Sequence, residues 1–326
     1  MKGSSPYFSP SILRRRDLVP LVTGTAASSA CGIWRGGLQP VVQIVKAPRY
    51  EQTLFETVRR ILSEAGLDVR GRRVVLKPNL VEYEAKAAIN THPIVVHAAL
   101  EGFRALGARE VLIAEGPGHR RIAWDLAEEA GYFREIPNFD KIFIDLNTDE
   151  VADVRISAPA SKLKSLHLPK TVLGADLLVS MPKLKTHHWV GATLAMKNLF
   201  GIVPGAIYGW PKNVLHWAGI HETIVDLHSL IPRHFCLVDG IVGMEGNGPI
   251  QGVAKAAGVL VAGHDMPAVD ATCCRIMKLD PAQIEYLAVA AHNGQTREAG
   301  VIQRGETIRT VATPFAVLRQ WEPLRL

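Results

Sequence analysis

Three lysines and two adjacent histidines lie close together in one stretch of the chain, residues 181–205. They are Lys183, Lys185, Lys197, His187 and His188. Apolar residues surround them, so we expect the stretch to be partly buried. Burying an ammonium group costs free energy unless an anion pairs with it. The stretch therefore predicts a site for a negatively charged ligand, and the alternative is a loop with solvated lysines above an apolar underside.

The two histidines are candidates for proton transfer, because imidazole titrates closest to neutral pH. Neighbouring residues of an extended strand point to opposite faces. We therefore expect one of His187 and His188 to face the ligand and the other to be structural. His187 has the same parity as Lys183 and Lys185, so we assign the catalytic role to His187.

Two further residues complete the predicted catalytic set. His119 follows a Gly-Pro-Gly turn and is a candidate acid or base, although a plain turn histidine is an equal alternative. Lys197 lies among apolar neighbours, where desolvation lowers the pKa of an amine and makes it a base or nucleophile.

Other polar residues near these positions are expected to contact the ligand. They are Lys77, Asn79, Lys183, Lys185, Asn198, Glu245 and Asn247. The last two lie between glycines, where the backbone can approach a ligand closely. His188 and Asp239 are considered as metal ligands, although two side chains alone do not make a structural zinc site.

Alternating apolar strands and amphipathic helices predict an α/β fold with a mostly parallel sheet and helices on both faces. Five predicted strands lead into polar clusters, at residues 77–79, 115–119, 182–188, 239–240 and 263–265. Ligands of open parallel sheets bind beyond the carboxyl ends of the strands. The sequence therefore predicts one ligand crevice at the carboxyl ends of the strands.

Three local predictions accompany this scheme. Helical spacing of apolar residues predicts one helix over residues 211–230. Residues 148–170 read as irregular or as a hairpin, and residues 307–311 as an edge strand.

Composition narrows the function classes. Residues 1–31 hold four of the 37 basic residues and one of the 31 acidic ones, which leaves 33 basic against 30 acidic residues in positions 32–326. That balance, with no long basic run, argues against a nucleic-acid partner. The four cysteines include no Cys-x-x-Cys pair, so no iron–sulfur cluster is expected. Residues 32–326 are long enough for one α/β domain, or for two lobes with a boundary near 150–175.

The N-terminal 31 residues resemble an export signal, with a disordered tail as the alternative. Arg14-Arg15-Arg16 precedes an apolar stretch that ends in small residues, as in a twin-arginine signal. We therefore expect a periplasmic or extracytoplasmic location reached through the export machinery, with Cys31 as a lipid-anchor candidate. A cytoplasmic location is the alternative.

Four motifs occur in the order typical of the domain-of-unknown-function family 362, and the chain resembles that family over residues 40–295. The motifs are KPNL (77–80), PKLKTHHWVGATLAMKNLFGIVPG (182–205), DGIVGMEGNGP (239–249) and GHDMPAVDA (263–271). Some members carry a ferredoxin-like cysteine module, which this sequence lacks, so the resemblance implies no electron-transfer role here.

The chain is similar, more distantly, to the nickel-pincer lactate racemase family. By position, His119 matches the first proton-transferring histidine of that family, and His187 or His188 matches the second. Lys197 matches the lysine that holds a pyridinium-derived nickel cofactor. The family's aspartate–threonine–arginine–proline segment is replaced by Lys77-Pro78-Asn79 in this sequence.

These observations predict an enzyme that acts on a small anionic substrate by proton transfer or isomerisation, with a metal or metal-organic cofactor considered. The alternative is a non-catalytic envelope protein that binds or delivers an anionic ligand or metallocofactor.

Overall fold

A computed structural model describes residues 39–291 and 294–326. The predicted export signal over residues 1–31, and with it Cys31, lies outside this part of the chain. The described residues belong to one compact unit. None of the helices among them has the length and apolar character needed to cross a bilayer.

The strands and helices alternate along most of the chain. The strands are β1 (Val41–Lys46), β2 (Arg73–Pro78), β3 (Glu110–Glu115), β4 (Phe143–Asp145), β5 (Val151–Arg155), β6 (Ser165–Pro169), β7 (Leu177–Met181), β8 (Lys183–His187), β9 (Gly191–Thr193), β10 (His234–Glu245), β11 (Val253–Gly263) and β12 (Ile302–Gly305). The helices are α1 (Leu54–Glu64), α2 (Pro93–Ala105), α3 (Ala123–Glu129), α4 (Tyr132–Glu135), α5 (Lys170–Leu173), α6 (Ala195–Asn198), α7 (Gly205–Tyr208), α8 (Asn213–Trp217), α9 (Ile220–Ser229), α10 (Met266–Ile276), α11 (Glu285–Ala290) and α12 (Ile308–Val311).

One mixed sheet dominates the fold, with the strand order β12-β1-β11-β10-β7-β2-β3-β4. The run from β10 through β7, β2 and β3 to β4 is parallel, and β8 continues beside β10. Strand β11 is antiparallel to both of its neighbours. A separate hairpin of β5 and β6 confirms the hairpin alternative for residues 148–170.

Apolar side chains cover both faces of the sheet. In β2, Val74 and Leu76 belong to one buried cluster, and Val75 between them belongs to the other, as the period of two requires. Helices α1 and α2 pack on the face of Val74, and α10 and α11 pack on the face of Val75. The predicted α/β fold, with a mostly parallel sheet and helices on both faces, is confirmed.

Two element predictions were wrong. Residues 211–230 form two helices, because Gly219 between them has φ 109°, a backbone conformation that favours glycine. Residues 307–311 include helix α12, and the edge strand is β12, which pairs parallel with β1.

The strand ends converge only in part. Strands β2, β3 and β7 are parallel, so the clusters that follow them meet at one edge of the sheet. Residues 239–240 lie inside the long strand β10 instead of at its end. Residues 263–265 lie at the opposite edge, because β11 runs antiparallel and Gly263 pairs with Cys236 near the start of β10.

Candidate functional site

A cavity of about 770 Å³ lies where β2, β3, β8 and α6 end and α8 begins. Nine of the sequence-predicted site residues line it: Lys77, Asn79, His119, Lys185, His187, His188, Lys197, Asn198 and Asn247. The prediction of one crevice therefore holds for the residues that follow the parallel strands.

Lys183 and Asp239 do not line the cavity and instead pair with each other. Lys183 Nζ lies 2.6 Å from Asp239 Oδ2 and donates to the Tyr50 hydroxyl at 2.8 Å. Asp239 also accepts from the Tyr50 hydroxyl and from the backbone N–H of His92. With its oxygens so occupied, Asp239 is a structural residue, and the predictions of a metal ligand at Asp239 and a substrate contact at Lys183 are corrected.

Glu245 is also absent from the cavity lining, and it fastens the C-terminal segment, residues 312–326. Its carboxylate accepts from the Ala316 N–H at 2.8 Å and lies 3.5 Å from Lys255 Nζ. Farther along the segment, Gln320 Nε2 and Trp321 Nε1 both donate to the carbonyl of His188, at 2.8 and 3.0 Å. The C-terminal segment therefore holds the backbone of His188 in place, a role that no pattern in the sequence had indicated.

Lys77 is a buried lysine whose charge the protein itself compensates. Its Nζ lies 2.6 Å from Glu115 Oε2 and 3.2 Å from Asn198 Oδ1. Burial lowers the pKa of Lys77, although the carboxylate of Glu115 opposes that shift. Gly201 packs against the pair so closely that a Cβ there would overlap the Glu115 carboxylate and lie 2.5 Å from Lys77 Nζ.

Among the residues that the structure describes, the amine of Lys185 has only carbonyl partners. Its Nζ donates to the carbonyls of Ile89 and Pro249, at 2.9 and 3.2 Å. Burial is the main reason that its pKa lies well below the usual value, and the charges of Lys183 and Lys197 lower it further.

Lys197 and Lys212 are the other two cationic groups of the lining. Lys197 Nζ lies 3.6 Å from the centroid of the Phe200 ring. Lys212 Nζ donates to the carbonyl of Gly116 at 2.6 Å. Burial lowers the pKa of each amine to about 7, and the positive charges of Lys212 and Lys77 lower the pKa of Lys197 further.

Sequence reasoning missed Lys212. The residue has φ 65°, follows the cis peptide bond between Trp210 and Pro211, and precedes helix α8. The available signal was a lysine beside a Trp-Pro pair, which the interpretation of residues 211–230 as one helix concealed.

Asp270 fixes the helix that carries Lys197. Its carboxylate accepts from the backbone N–H groups of Ala195 and Met196, at 2.8 and 3.1 Å, and so satisfies two free donors at the start of α6. Burial raises the pKa of Asp270 to about 7. The residue lies on α10, so a buried carboxyl on one face of the sheet sets the position of the cavity amine.

Both histidine rings line the cavity, which corrects the expectation that only one would. Strand β8 ends at His187 and a turn begins at His188, so the alternation of faces stops there. The rings stack with centroids 4.8 Å apart.

Hydrogen bonds hold the two rings in different tautomers. His187 Nδ1 accepts from the Trp189 N–H at 3.0 Å, so the proton of the neutral ring lies on Nε2. His188 Nδ1 contacts the Gly248 carbonyl at 2.7 Å and must donate to it, which leaves its Nε2 as an acceptor. Burial, with a contribution from Lys197, holds the pKa of His187 well below its usual value.

A third histidine, His216, was also missed by sequence reasoning. Its ring lies edge-on to Trp189 and Phe200, with centroids 4.9 and 5.5 Å away. Burial lowers its pKa to about 4, so the ring is neutral at neutral pH. His119 also lines the cavity, and its side chain is exposed to solvent.

Among the described residues, no group of three or more His, Cys, Asp or Glu side chains could hold a metal ion. His187 and His188 could supply at most a partial ligand set. The amine of Lys197 has no ion pair among the described residues, and its role in holding a metal-organic cofactor stays a prediction.

The family model described as "Domain of unknown function (DUF362)" matches residues 74–275, which is more than half of the chain. The chain is also 30% identical, over 265 residues, to a thylakoid-associated protein of Synechocystis sp.. That match covers 78% of this chain and 79% of the relative. The chain therefore belongs to the DUF362 family.

Two solved structures are similar to this chain. The lactate racemase apoprotein of Thermoanaerobacterium thermosaccharolyticum has a TM-score of 0.45 and 15% identity, covering 74% of this chain. A Thermotoga maritima protein has a TM-score of 0.36 and 12% identity, covering 68% of this chain. The matched part spans 57% of the length of each of these two structures, and both likenesses concern the fold and not the chemistry.

Proposed function

We propose that this protein is an enzyme that binds a small anionic substrate in the cavity and moves a proton on it, as in an isomerisation or racemisation. The observation that carries this proposal is the stacked pair His187 and His188, which presents one donor and one acceptor beside the lysines of the cavity.

The lysines would bind and orient the substrate. Lys185, Lys197 and Lys212 present ammonium groups from three different elements, and a bound anion would compensate their charges. An anion would also raise the pKa values of Lys197 and Lys212, since a nearby negative charge favours the protonated amine. Binding should therefore be accompanied by proton uptake above neutral pH.

The histidines would carry the proton. His188 Nε2 holds a free lone pair and is the candidate base, while His187 Nε2–H is the candidate donor. Negative charge that develops on the substrate would be stabilised by Lys197, because a preorganised cation acts strongly on such charge. His119 at the exposed side could exchange the proton with solvent.

Deuterium exchange tests the proposal. Protein purified from its own host would be incubated in D2O with a panel of small carboxylates and phosphate esters, and carbon-bound deuterium would be followed by NMR. We expect exchange on at least one compound that binds. His188→Asn should slow that exchange by roughly 100-fold or more, the usual size of a general-base contribution, and leave ligand affinity within about threefold.

The matched control is His167→Asn, which changes an exposed histidine outside the cavity and should exchange at the wild-type rate. If ligands bind but no deuterium is exchanged, the proposed catalytic activity is contradicted. The result would then favour the alternative, a non-catalytic protein that binds or delivers an anion. That alternative also predicts that affinity is lost at the lysines and not at the histidines.

A further inference from the structure

Four buried lysines and the half-buried Lys197 fall into two groups that differ in how their charges are compensated. Lys77 and Lys183 each lie 2.6 Å from a carboxylate oxygen. Lys185, Lys197 and Lys212 form no ion pair with any described residue, and all three line the same cavity. A buried charge normally has a counter-charge, and Lys77 and Lys183 follow this rule. The three unpaired lysines indicate that their counter-charge comes from outside the chain.

We infer that the substrate of the proposed enzyme carries a dianionic, tetrahedral oxyanion, of the phosphate monoester class, bound between Lys185, Lys197 and Lys212. This inference deepens the proposed function, because it assigns a substrate class to the same cavity.

The hydrogen-bonding capacity of the three amines supports an acceptor with several oxygens. Each ammonium group has three N–H donors. Two donors of Lys185 are taken by carbonyls and one donor of Lys212 is taken by a carbonyl. The side-chain amine of Lys197 makes no hydrogen bond with a described residue, and its only described partner is the ring of Phe200. Donors therefore remain on all three groups, and they approach from strand β8, helix α6 and the turn before α8.

The absence of arginine from the lining separates phosphate from carboxylate. A planar carboxylate is matched best by the guanidinium fork, which donates two parallel hydrogen bonds. No described arginine lines the cavity, and Arg120 at the edge is paired with Glu82 and Glu129. Point charges from several directions suit the oxygens of a tetrahedral group better than those of a planar one.

The charge balance favours a dianion over a monoanion. Two carboxylates act on Lys212 from beyond ion-pair distance, those of Glu115 and Asp145. Glu115 is already committed to Lys77, and Asp145 accepts from the backbone N–H of Asn147. When a bound anion favours the protonated form of all three amines, these carboxylates leave most of their positive charge uncompensated, and one phosphate monoester at neutral pH supplies close to two negative charges.

Titration calorimetry with inorganic phosphate as the probe tests the inference. Acetate would serve as the monoanionic comparator and malonate as a dianion of two planar carboxylates, at constant ionic strength and pH 7. We expect phosphate to bind at least tenfold more tightly than either comparator. Lys197→Met and Lys212→Met should each weaken phosphate binding at least tenfold. Lys164→Met, at an exposed lysine outside the cavity, should bind phosphate as the wild type does.

A labelling measurement on the unaltered protein keeps the test independent of how the variants fold. Phosphate should slow the acylation of Lys197 by an amine-specific reagent at least fivefold, and leave that of Lys164 unchanged, as read by peptide mass spectrometry. Phosphate binding no tighter than acetate, or unprotected Lys197, would overturn the dianion inference. Tight binding of acetate or malonate without phosphate binding would also overturn the dianion inference, but it would agree with an enzyme that binds an anionic substrate. If phosphate, acetate and malonate all fail to bind, both the dianion inference and the proposed function are contradicted.

Discussion

The pair of Lys77 and Glu115 shows, at the scale of single residues, how much of the site is structural support. Both side chains are almost completely buried, and Glu115 also accepts from the backbone N–H groups of Leu80 and Gly116. Lys77 was predicted to bind substrate, yet its charge is satisfied within the protein. Its position in the cavity wall makes it a source of positive potential and a fixed point for Asn198.

Removing the carboxylate of this pair should therefore destabilise the fold. Glu115→Gln would leave a buried ammonium group without a counter-charge, which typically costs about 3–5 kcal/mol. Urea denaturation would measure the loss. The double variant with Lys77→Met should recover most of the stability, and a double variant as unstable as the single one would show that the pair is not the cause.

The same scale shows what residue types can and cannot predict. Lysines and histidines in an apolar stretch were sufficient to locate Lys185, Lys197 and the two histidines, because burial of such groups is rare without a reason. Lys212 and His216 escaped because their segment has helical spacing, and a helix pattern gives no sign of a left-handed residue at its start.

At the scale of elements, the short helix α6 and the turn after it must approach β2 and β3 very closely. Gly201 makes this approach, since any side chain at that position would enter the space of the Lys77–Glu115 pair. The carboxyl of Asp270 holds the other end of the same segment. The position of Lys197 therefore depends on two contacts, one at each end of its short segment.

The Gly201→Ala substitution tests the steric contact between this position and the Lys77–Glu115 pair. We expect a loss of about 1–3 kcal/mol in the free energy of unfolding, the usual range for an overpacked interior. Gly118→Ala is the control, because the nearest atom to a Cβ there is 3.8 Å away. Thermal and urea unfolding would compare the two variants, and equal stability would contradict the steric argument.

Element types were more predictable than strand directions. Apolar strands and their polar ends were visible in the sequence, and the ends of the parallel strands do meet. The sequence contained no sign that β11 runs antiparallel, because a short apolar run reads the same in either direction. For that reason the cluster at residues 263–265 was assigned to the wrong edge of the sheet.

At the scale of the whole molecule, buried lysines give stability an unusual dependence on pH. The pKa of every one of the five buried or cavity lysines is lowered in the folded state, to about 7 for Lys197 and Lys212. The unfolded chain keeps these amines protonated up to their ordinary pKa of 10.5. Since the unfolded state then binds more protons, the free energy of unfolding rises with pH.

We expect the ligand-free protein to be more stable at pH 8.5 than at pH 7.5, by at least about 2 kcal/mol if Lys197 and Lys212 act independently. Asp265 and Asp270, with pKa values raised to about 6 and 7, are largely ionised across this window. Buried cysteines, whose pKa values are raised, oppose the trend only nearer their ordinary pKa of 9.0.

Urea midpoints at the two pH values would measure this rise. A double variant with Lys197→Met and Lys212→Met should lose roughly 2 kcal/mol of it. Stability that falls across the window in the wild type would mean that these amines stay charged in the folded protein.

The support of the His188 carbonyl by Gln320 and Trp321 has a consequence for how the family is delimited. The conserved-family match ends at residue 275, and these two side chains lie some 45 positions beyond it. Strands β1 and β12 lie outside that match as well, although both belong to the central sheet. A recombinant fragment trimmed to the matched region would thus keep every lysine of the cavity while losing one of its walls, so inactivity of such a fragment would say nothing about the chemistry of the intact chain.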